Sequence, residues 1–248
     1  MFDAQKVHKE LVDWIKDWFE KNGPDSPAVI GISGGKDSTV SAALLVEALG
    51  KDRVIGVLMP DEEQPDIEDS YAVCKALGIK YYTIDISNIT FAFTLNTMKA
   101  LDKTSNALTE QMQQNLPPRV RMTTLYAISQ NMNGRVCNTS NYSEIMLGWG
   151  TRWGDMVGDF APLADLTATE VIEVGKTFDN IPQPLILKKP SDGLCGKTDE
   201  DVFEFTYNEL DTYLRTNNLD NENSLRKIKD RIRNSAFKRS PIPSYKIC

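Results

Sequence analysis

The stretch that most constrains this chain runs from Ala28 to Ser38 and joins a short apolar segment to a glycine-containing turn. Ala28 to Ile32 is apolar and rich in β-branched residues, which is typical of a strand buried on both faces. Ser33-Gly34-Gly35-Lys36-Asp37-Ser38 follows directly, and from about Thr39 apolar residues recur at helical spacing. Because a helix start presents unpaired N–H groups and partial positive charge, this stretch predicts a phosphate-binding site.

The turn differs from a Walker A loop. That loop needs Ser or Thr directly after Gly-Lys and another Gly five residues before it. Here Asp37 follows Gly35-Lys36, and Ile30 stands at the earlier position. A plain strand-to-helix connection is the alternative, but the polar turn directly after an apolar strand favours phosphate binding. We expect Asp37 to hold Mg²⁺ against the phosphates. Further contacts are expected from the polar side chains of the turn: Ser33, Lys36 and Ser38.

The composition excludes several classes of function. The 248 residues carry a net charge of −7, which argues against a general nucleic-acid binder. No run of 18 apolar residues and no signal-peptide pattern is present, so we expect a cytoplasmic protein that does not enter a membrane. The four cysteines, Cys74, Cys137, Cys195 and Cys248, form no Cys-x-x-Cys pair, which favours neither a zinc site nor a disulfide framework.

The single histidine narrows the chemistry further. His8 lies in the N-terminal amphipathic segment, far in sequence from the polar motifs. A two-histidine zinc site would need a second histidine, which this chain lacks, and a Ser-His-Asp triad would have to be centred on His8, away from those motifs. The reaction therefore has to depend on carboxylates, cations, backbone amides and a metal ion.

Strand and helix patterns alternate along the first half of the chain. An amphipathic helix is predicted for residues 1–23, strands for Val54 to Leu58 and Lys80 to Ile84, and a helix between them. This βαβαβ alternation predicts an α/β fold, a doubly wound parallel sheet. Helices predicted at about Glu200 to Arg215 and Asn223 to Asn234 form a C-terminal helical elaboration. We expect one domain over residues 1–248, in which the polar segment 188–200 is either a mobile lid or a solvated linker.

Two later segments add charged candidates. Pro117-Pro118 predicts an extended entry into a helix whose first turn carries Arg119 and Arg121, where cations oppose the helix dipole and call for a salt bridge or an anionic ligand. A fourth strand, Arg135 to Asn138, runs into a polar turn that contains Glu144. If this strand neighbours the first, Glu144 faces Asp37 and completes a pair of carboxylates for one Mg²⁺. The alternative is an ordinary acidic residue in the first turn of a helix.

Several blocks along the chain resemble those of the NAD synthetase family, a branch of the ATP pyrophosphatases. The resemblance covers most of the chain from Ala28 to Arg239 and implies a Rossmann-like fold of the adenine nucleotide α-hydrolase type, usually in a homodimer. The blocks that carry it are Ser33 to Ser38, Pro118-Arg119-Val120-Arg121-Met122, Asn138 to Glu144, Thr151-Arg152-Trp153-Gly154-Asp155, Asp159 to Leu163, Lys189-Pro190-Ser191, Asp199-Glu200 and Phe237-Lys238.

The resemblance implies an ATP-dependent amidation of deamido-NAD to NAD by ammonia, through an adenylated nicotinate carboxylate. Asp37 and Glu144 match the catalytic and Mg²⁺-binding positions. The ATP-binding positions correspond to Gly31, Ile32, Ser33, Gly34, Gly35, Lys36, Asp37, Ser38, Thr139 and Ser191. The deamido-NAD-binding positions correspond to Arg119, Arg152, Asp159 and Lys238.

Three positions depart from the family pattern. Arg152 falls where many members carry Lys, which keeps the charge and changes its geometry. An ATP-contacting Lys of many members falls at Ala168, and the His of a His-Lys pair falls at Phe237. We hypothesise that a lysine of the predicted lid replaces the missing cation, the candidates being Lys188, Lys189 and Lys197.

Three further classes of function stay open from the residues alone. One is another ATP pyrophosphatase, such as the synthetase module of GMP synthetase or a tRNA-modifying ligase; a second is a nucleotide sensor without catalysis. A structural α/β interaction protein is a third, but it leaves the clustered motifs unexplained. The roughly 28 residues before the phosphate loop are too few for a glutaminase domain, so free ammonia is the expected nitrogen donor, with a separate glutaminase subunit as the alternative.

Overall fold

The chain is built on parallel strands in the order β3-β2-β1-β4. A computed structural model describes residues 2–62, 64, 66–101, 108–188 and 198–246. Within these residues the strands are β1 (Ala28–Gly31), β2 (Val54–Leu58), β3 (Lys80–Thr83) and β4 (Arg135–Cys137). The first strand pairs with both β2 and β4. The condition on which the predicted pairing of Asp37 with Glu144 depends, that β1 and β4 are neighbours, is therefore met.

Alternating residues of the strands face opposite layers of helices. Ala28 and Ile30 of β1 lie in the larger apolar core, whereas Val29 between them lies in a second one. This period of two follows from the pleat of a strand. Because apolar residues point both ways, the sheet is covered on both faces, as predicted for a doubly wound α/β fold.

The helices divide into two layers and a C-terminal group. One layer contains α1 (Ala4–Asn22), α2 (Lys36–Leu49), α3 (Ile67–Leu77), α7 (Ala168–Gly175) and α8 (Gln183–Ile186), with a 3-10 turn at Lys51–Arg53. The opposite layer contains α4 (Ser87–Ala100) and α5 (Glu110–Asn131). The short helix α6 (Tyr142–Leu147) follows β4 and packs against the C-terminal group. That group comprises α9 (Asp199–Phe203), α10 (Tyr207–Thr216), α11 (Glu222–Asn234) and α12 (Ala236–Arg239).

Two predictions about helices need correction. Pro117 and Pro118 lie inside α5, so the extended entry predicted there is wrong. The Thr109 side chain accepts a hydrogen bond from the Met112 amide and begins the helix eight residues earlier. Arg119 and Arg121 are therefore mid-helix, and the dipole argument does not apply to them. The single helix predicted from about Glu200 to Arg215 is two helices, because Glu204 adopts a left-handed φ of 62° and ends α9.

The C-terminal helices have an apolar core of their own. Phe203, Tyr207, Leu210 and Ile228 are buried together with Ala168 of α7 and Leu147 of α6. This core holds α10 and α11 beside the start of α6, at the carboxyl end of β4. The part of the chain that the structure describes contains no helix long and apolar enough to cross a membrane.

Candidate functional site

The predicted phosphate loop lies at the carboxyl end of β1, where ligands bind in open parallel sheets. Gly34 has φ +78°, and a β-carbon there would come within 2.6 Å of Asp69 Cβ, so glycine is required. Ser38 Oγ donates to the Gly35 carbonyl and accepts from the Ser33 amide at 3.3 Å. These bonds fix a tight turn, after which the first amides of α2 have no acceptor within the helix. The loop is therefore shaped for an anion.

Asp37 and Glu144 are brought together by Asn141. The Asn141 Nδ2 donates to Asp37 Oδ1 at 2.9 Å. Its Oδ1 accepts from the Glu144 amide at 3.0 Å, and its own amide donates to Glu144 Oε2 at 3.3 Å, a capping box that begins α6. Asn141 is fully buried. One side chain thus joins the helix after β1 to the helix after β4.

The charged groups around this pair shift the pKa values of one another. Burial, and then the neighbouring Asp37, raise the pKa of Glu144 to about 8. The Lys36 ammonium donates to Asp37 Oδ2 at 2.7 Å and is almost entirely buried. Removal from water lowers the pKa of Lys36, but the attraction of Asp37 and Glu144 outweighs it and the net pKa is raised. Lys36 was predicted to add a contact to a bound phosphate; in this structure its side chain is buried and its ammonium is paired with Asp37.

The C-terminal helices contribute acidic and aromatic groups to the same cluster. Tyr207 OH donates to Asp199 Oδ2 at 2.9 Å, and its ring lies 5.7 Å from the Lys36 ammonium. Asp211 accepts from Ser143 Oγ at 2.5 Å and from the Thr169 amide at 2.8 Å. Sequence reasoning did not assign these residues to the site. One signal was available in the sequence. Asn141 and Ser143 precede Glu144 in a capping pattern, which indicates that a helix begins there and that these side chains are held in place.

Two of the residues matched to deamido-NAD binding, Arg119 and Arg152, are in contact with each other. Arg119 donates to the Arg152 carbonyl at 3.4 Å. The Arg152 guanidinium carbon is 4.9 Å from the Trp153 ring and 5.7 Å from the Phe237 ring. The buried Nε of Arg152 has no hydrogen-bond partner within the described parts of the chain. Phe237, which replaces the expected histidine, therefore pairs with Arg152, and both aromatic rings remain about half exposed.

A cleft of about 420 Å³ opens beside these residues, at the end of β4. Asp159 and Lys238 both line it, together with Asn138 and Ser140, which flank Thr139 in sequence. Asp159 accepts from Tyr126 OH at 3.2 Å and from the Val136 amide at 2.7 Å. The Lys238 ammonium donates to the carbonyls of residues 148 and 150, at 2.8 Å each. The cleft is thus lined by one acid, Asp159, and two cations, Lys238 and Arg239, and both cations donate to backbone carbonyls.

The remaining candidates are placed as follows. Ser191, Lys189 and Lys197 lie outside the described residues, as do Cys195 and Cys248, so their predicted roles stay predictions. Lys188 forms ion pairs with Asp66 at 2.8 Å and Asp69 at 2.7 Å on α3.

The site has the donor set that magnesium requires beside a nucleotide. Mg²⁺ usually binds through one or two carboxylates plus substrate phosphates. Asp37 and Glu144 supply two carboxylates next to the anion-binding turn. No group of three or more His, Cys, Asp or Glu side chains suited to a metal occurs among the described residues. The arrangement therefore fits a metal held jointly with a bound phosphate.

Comparisons with known proteins agree on one family. A family model described as NAD synthase matches residues 7–242. The NH(3)-dependent NAD(+) synthetase of Methanosarcina acetivorans is 41% identical over 217 residues, covering 86% of this chain and 82% of that protein. Among solved structures, NMN synthetase from Francisella tularensis matches with a TM-score of 0.89 and 32% identity over 100% of both chains. NH3-dependent NAD synthetase from Campylobacter jejuni, in complex with the nitrate ion, matches with a TM-score of 0.78 and 30% identity over 99% of this chain and 100% of that chain.

Proposed function

The chain belongs to the NAD synthase family, and from this premise we propose how its residues perform the reaction of that family. It is a carbon–nitrogen ligase that uses ATP and ammonia to amidate deamido-NAD to NAD, the final step of NAD biosynthesis. The observation that carries the residue-level proposal is the Asp37–Asn141–Glu144 arrangement beside the turn at Gly34, because it combines an anion site with two carboxylates.

The reaction does not require a nucleophilic side chain of the protein. An oxygen of the nicotinate carboxylate attacks the α-phosphorus of ATP, and the bond to the oxygen that bridges to the β-phosphorus breaks. Pyrophosphate leaves and an acyl adenylate forms. Ammonia then attacks the acyl carbon, AMP departs with the former carboxylate oxygen, and a proton is lost to solvent. Both nucleophiles arrive with the substrates, so the protein contributes orientation and charge stabilisation.

Each half of the site takes one substrate in this proposal. The turn from Gly31 to Ser38 holds the ATP phosphates, with Thr139 and Ser191 as further ATP contacts. Asp37 and Glu144 hold Mg²⁺, which would neutralise the charge that builds up on the leaving pyrophosphate. Arg119, Arg152, Asp159 and Lys238 hold the acid substrate, and the cleft at the end of β4 supports this assignment since Asp159 and Lys238 line it together.

A second candidate substrate follows from one comparison. The NMN synthetase matches this chain over its full length with a higher TM-score than the NAD synthetase from Campylobacter jejuni. Amidation to NMN would start from nicotinate mononucleotide, which carries the same nicotinate ring and carboxylate without the adenylate half. The chemistry at the α-phosphorus is unchanged, so only recognition of the acid distinguishes the two.

One assay tests both candidates. The protein is incubated with ATP, Mg²⁺, ammonium chloride and either deamido-NAD or nicotinate mononucleotide, and NAD, NMN, AMP and pyrophosphate are measured. We expect one AMP and one pyrophosphate per amide formed, with deamido-NAD as a substrate. A larger kcat/KM for the mononucleotide would assign the second function. Binding of ATP without AMP release would contradict the ligase and support a sensor.

We also propose a homodimer that forms through α4. That helix has no buried residue among those described, and Ile89, Phe91 and Phe93 are exposed on it. An apolar surface of this kind marks an interaction site. A sedimentation experiment with Phe91→Glu, which places a charge in the patch, should give a monomer. We likewise retain as proposals that residues 1–248 form one domain, that 188–200, of which 189–197 lie outside the described residues, is a lid, and that the protein acts in the cytoplasm.

A further inference from the structure

Asp211 is a buried carboxylate of α10 that the proposed reaction does not use. The residue is 5% exposed. Each of its two oxygens accepts one hydrogen bond, from Ser143 Oγ at 2.5 Å and from the Thr169 amide at 2.8 Å. Burying a carboxylate is costly unless it is hydrogen-bonded, so these two bonds and the positive end of α7 have to offset its removal from water. A carboxylate at this position therefore indicates a role beyond packing.

The two hydrogen bonds join three helices. Thr169 lies in the first turn of α7, where the amides have no acceptor within the helix. Ser143 lies in α6, and its Oγ also accepts from the Ala168 amide at 3.0 Å. Asp211 thus connects the start of α7 and the start of α6 to α10. The bond to Thr169 is sufficient to cap α7, so the bond to Ser143 needs a further explanation.

Ser143 directly precedes Glu144 in the first turn of α6. Its side chain is fully buried, and its hydroxyl is held by Asp211 on one side and by the Ala168 amide on the other. The turn therefore cannot rotate without breaking these bonds. Asn141 caps the same turn through the Glu144 amide. The direction in which Glu144 points thus depends on Asp211, through Ser143.

Only a carboxylate satisfies both neighbours of residue 211. A carboxylate has two acceptor oxygens and no donor, whereas an amide side chain has one acceptor oxygen and one N–H₂ donor. The Thr169 amide is fixed in the backbone and the Ser143 hydroxyl can turn, so the N–H₂ group in Asp211→Asn would face Ser143. The hydroxyl proton of Ser143 would then lose its acceptor. Aspartate therefore holds this hydroxyl in the observed direction.

We propose that Asp211 is a positioning residue, which orients the metal-binding carboxylate of Glu144 through the Ser143 hydroxyl. The proposal rests on the proposed function, in which Asp37 and Glu144 hold Mg²⁺, and it adds a residue of α10 to that site. Asp211 itself touches neither the metal nor a substrate. Loss of a hydrogen-bonding partner that orients a metal ligand lowers metal affinity or activity by about 10–100-fold.

The test compares Asp211→Asn with two control variants. Arg215 lies four residues further along α10, and its guanidinium binds Glu170 of α7 at 2.5 and 2.8 Å. Arg215→Met therefore removes another connection between α10 and α7. Ile228→Val removes one methyl group from the C-terminal core, where Ile228 is fully buried, so it lowers the stability of the fold without removing a hydrogen bond.

The measurements do not require turnover. Mn²⁺ affinity is measured by electron paramagnetic resonance in the presence of α,β-methylene-ATP, which cannot be cleaved between its α- and β-phosphorus atoms. The affinity for deamido-NAD is measured by calorimetry. Melting curves check that each variant folds.

We expect Mn²⁺ to bind at least about tenfold more weakly to Asp211→Asn, with Mn²⁺ affinity in both controls and deamido-NAD affinity in all variants within about threefold of wild type. Unchanged Mn²⁺ affinity in folded Asp211→Asn would overturn the proposal. An equal loss of Mn²⁺ affinity in either control, or an equal loss of deamido-NAD affinity in Asp211→Asn, would show that the role is structural and would also overturn it.

A second variant tests the connection through Ser143. Ser143→Ala removes the hydroxyl and keeps the bond between Asp211 and Thr169. We expect it to weaken Mn²⁺ binding as well, and adding Asp211→Asn should weaken it by less than about threefold more, because both changes act through the same hydroxyl. Fully additive losses would contradict this connection. If Asp211→Asn does not fold, Ser143→Ala decides the question, and wild-type Mn²⁺ affinity in that variant overturns the proposal.

Failure of the proposed function can be told apart from failure of this inference. A wild-type protein that binds Mn²⁺ with the analogue but forms no amide would refute the proposed function, and the affinities of the variants would still decide the role of Asp211. A wild-type protein that binds no Mn²⁺ with the analogue would overturn the metal-binding pair and the positioning role together.

Discussion

Replacing Asn141 by alanine should separate the helix-capping contribution of this residue from its contribution to the metal site. Asn141 begins α6 by accepting from the Glu144 amide, and it donates to Asp37 Oδ1 at 2.9 Å. Alanine removes both bonds and leaves the main chain intact. The backbone amide of residue 141 can still donate to Glu144. The variant therefore keeps both helices but loses the side chain that connects the two carboxylates.

The expected cost can be worked out from the two bonds. Loss of an N-cap side chain destabilises a protein by about 1 kcal/mol. Loss of a hydrogen bond to a charged group adds about 1.5–3 kcal/mol. A total near 3 kcal/mol lowers the melting temperature of a chain of this size by about 6–12 °C. Because Asp37 then turns away from Glu144, we expect kcat/KM to fall by at least about 100-fold.

The chain provides a matched control in Asn221. That residue begins α11, accepts from the Ser224 amide at 3.3 Å and donates to Glu209 Oε1 at 2.8 Å, but it is exposed. Asn221→Ala therefore removes the same two kinds of hydrogen bond, a helix cap and a bond to a carboxylate, but far from the phosphate loop. It should lower the melting temperature by about 2–4 °C and leave kcat/KM within about twofold. Calorimetry and the NAD-forming assay give both values. Equal losses of activity in the two variants, or full activity in Asn141→Ala, would refute this reasoning.

Three further predictions address neighbouring groups. Asp37→Ala should abolish AMP release under saturating Mg²⁺ and ATP, and turnover above about 1% of wild type would contradict its role in metal binding. Gly34→Ala should weaken ATP binding and fold stability together, because the new β-carbon would come within 2.6 Å of Asp69 Cβ and the φ of +78° is unfavourable; unchanged calorimetric titrations would exclude this strain. Since the folded-state pKa of Glu144 is raised to about 8, its neutral form stabilises the metal-free protein at low pH, and that stability is lost as the pH rises from about 4.5 to about 8. Urea midpoints should fall over this range in wild type, and the fall should be smaller in Glu144→Gln.

Local sequence patterns predicted the strand, the turn and the helix that form the loop after β1. An apolar strand, a glycine turn and a helix start are encoded within about a dozen adjacent residues, so the shape of the loop after β1 follows from short-range sterics. The predicted pairing of Asp37 with Glu144 depended on one long-range contact, the pairing of β1 with β4. The alternation of strands and helices was compatible with this pairing, and the structure contains it.

The rest depended on tertiary packing that no local pattern encodes. Pro117-Pro118 predicted a helix boundary, but α5 begins earlier, after its N-cap residue Thr109, and continues through both prolines. The surroundings of the Lys36 ammonium could not be derived from the loop, because the Tyr207 ring beside it lies 171 residues later along the chain. Helix propensity predicted the C-terminal helices. It did not predict that their side chains lie beside the Asp37–Glu144 pair.

The identity of residue 141 shows how stability and chemistry are joined in this protein. Ser, Thr, Asp and Asn all accept the hydrogen bond that begins a helix. Asn alone among them also has a side-chain N–H₂ group, which Asp37 needs as a donor. Aspartate would keep the cap of α6 but face Asp37 with a like charge, and serine would keep the cap but is too short to reach it. We therefore expect Asn141→Asp and Asn141→Ser to retain more thermal stability than Asn141→Ala while losing most of the activity, which calorimetry and the NAD-forming assay can measure in parallel. Activity near wild type in the aspartate variant would show that Asp37 does not depend on this donor.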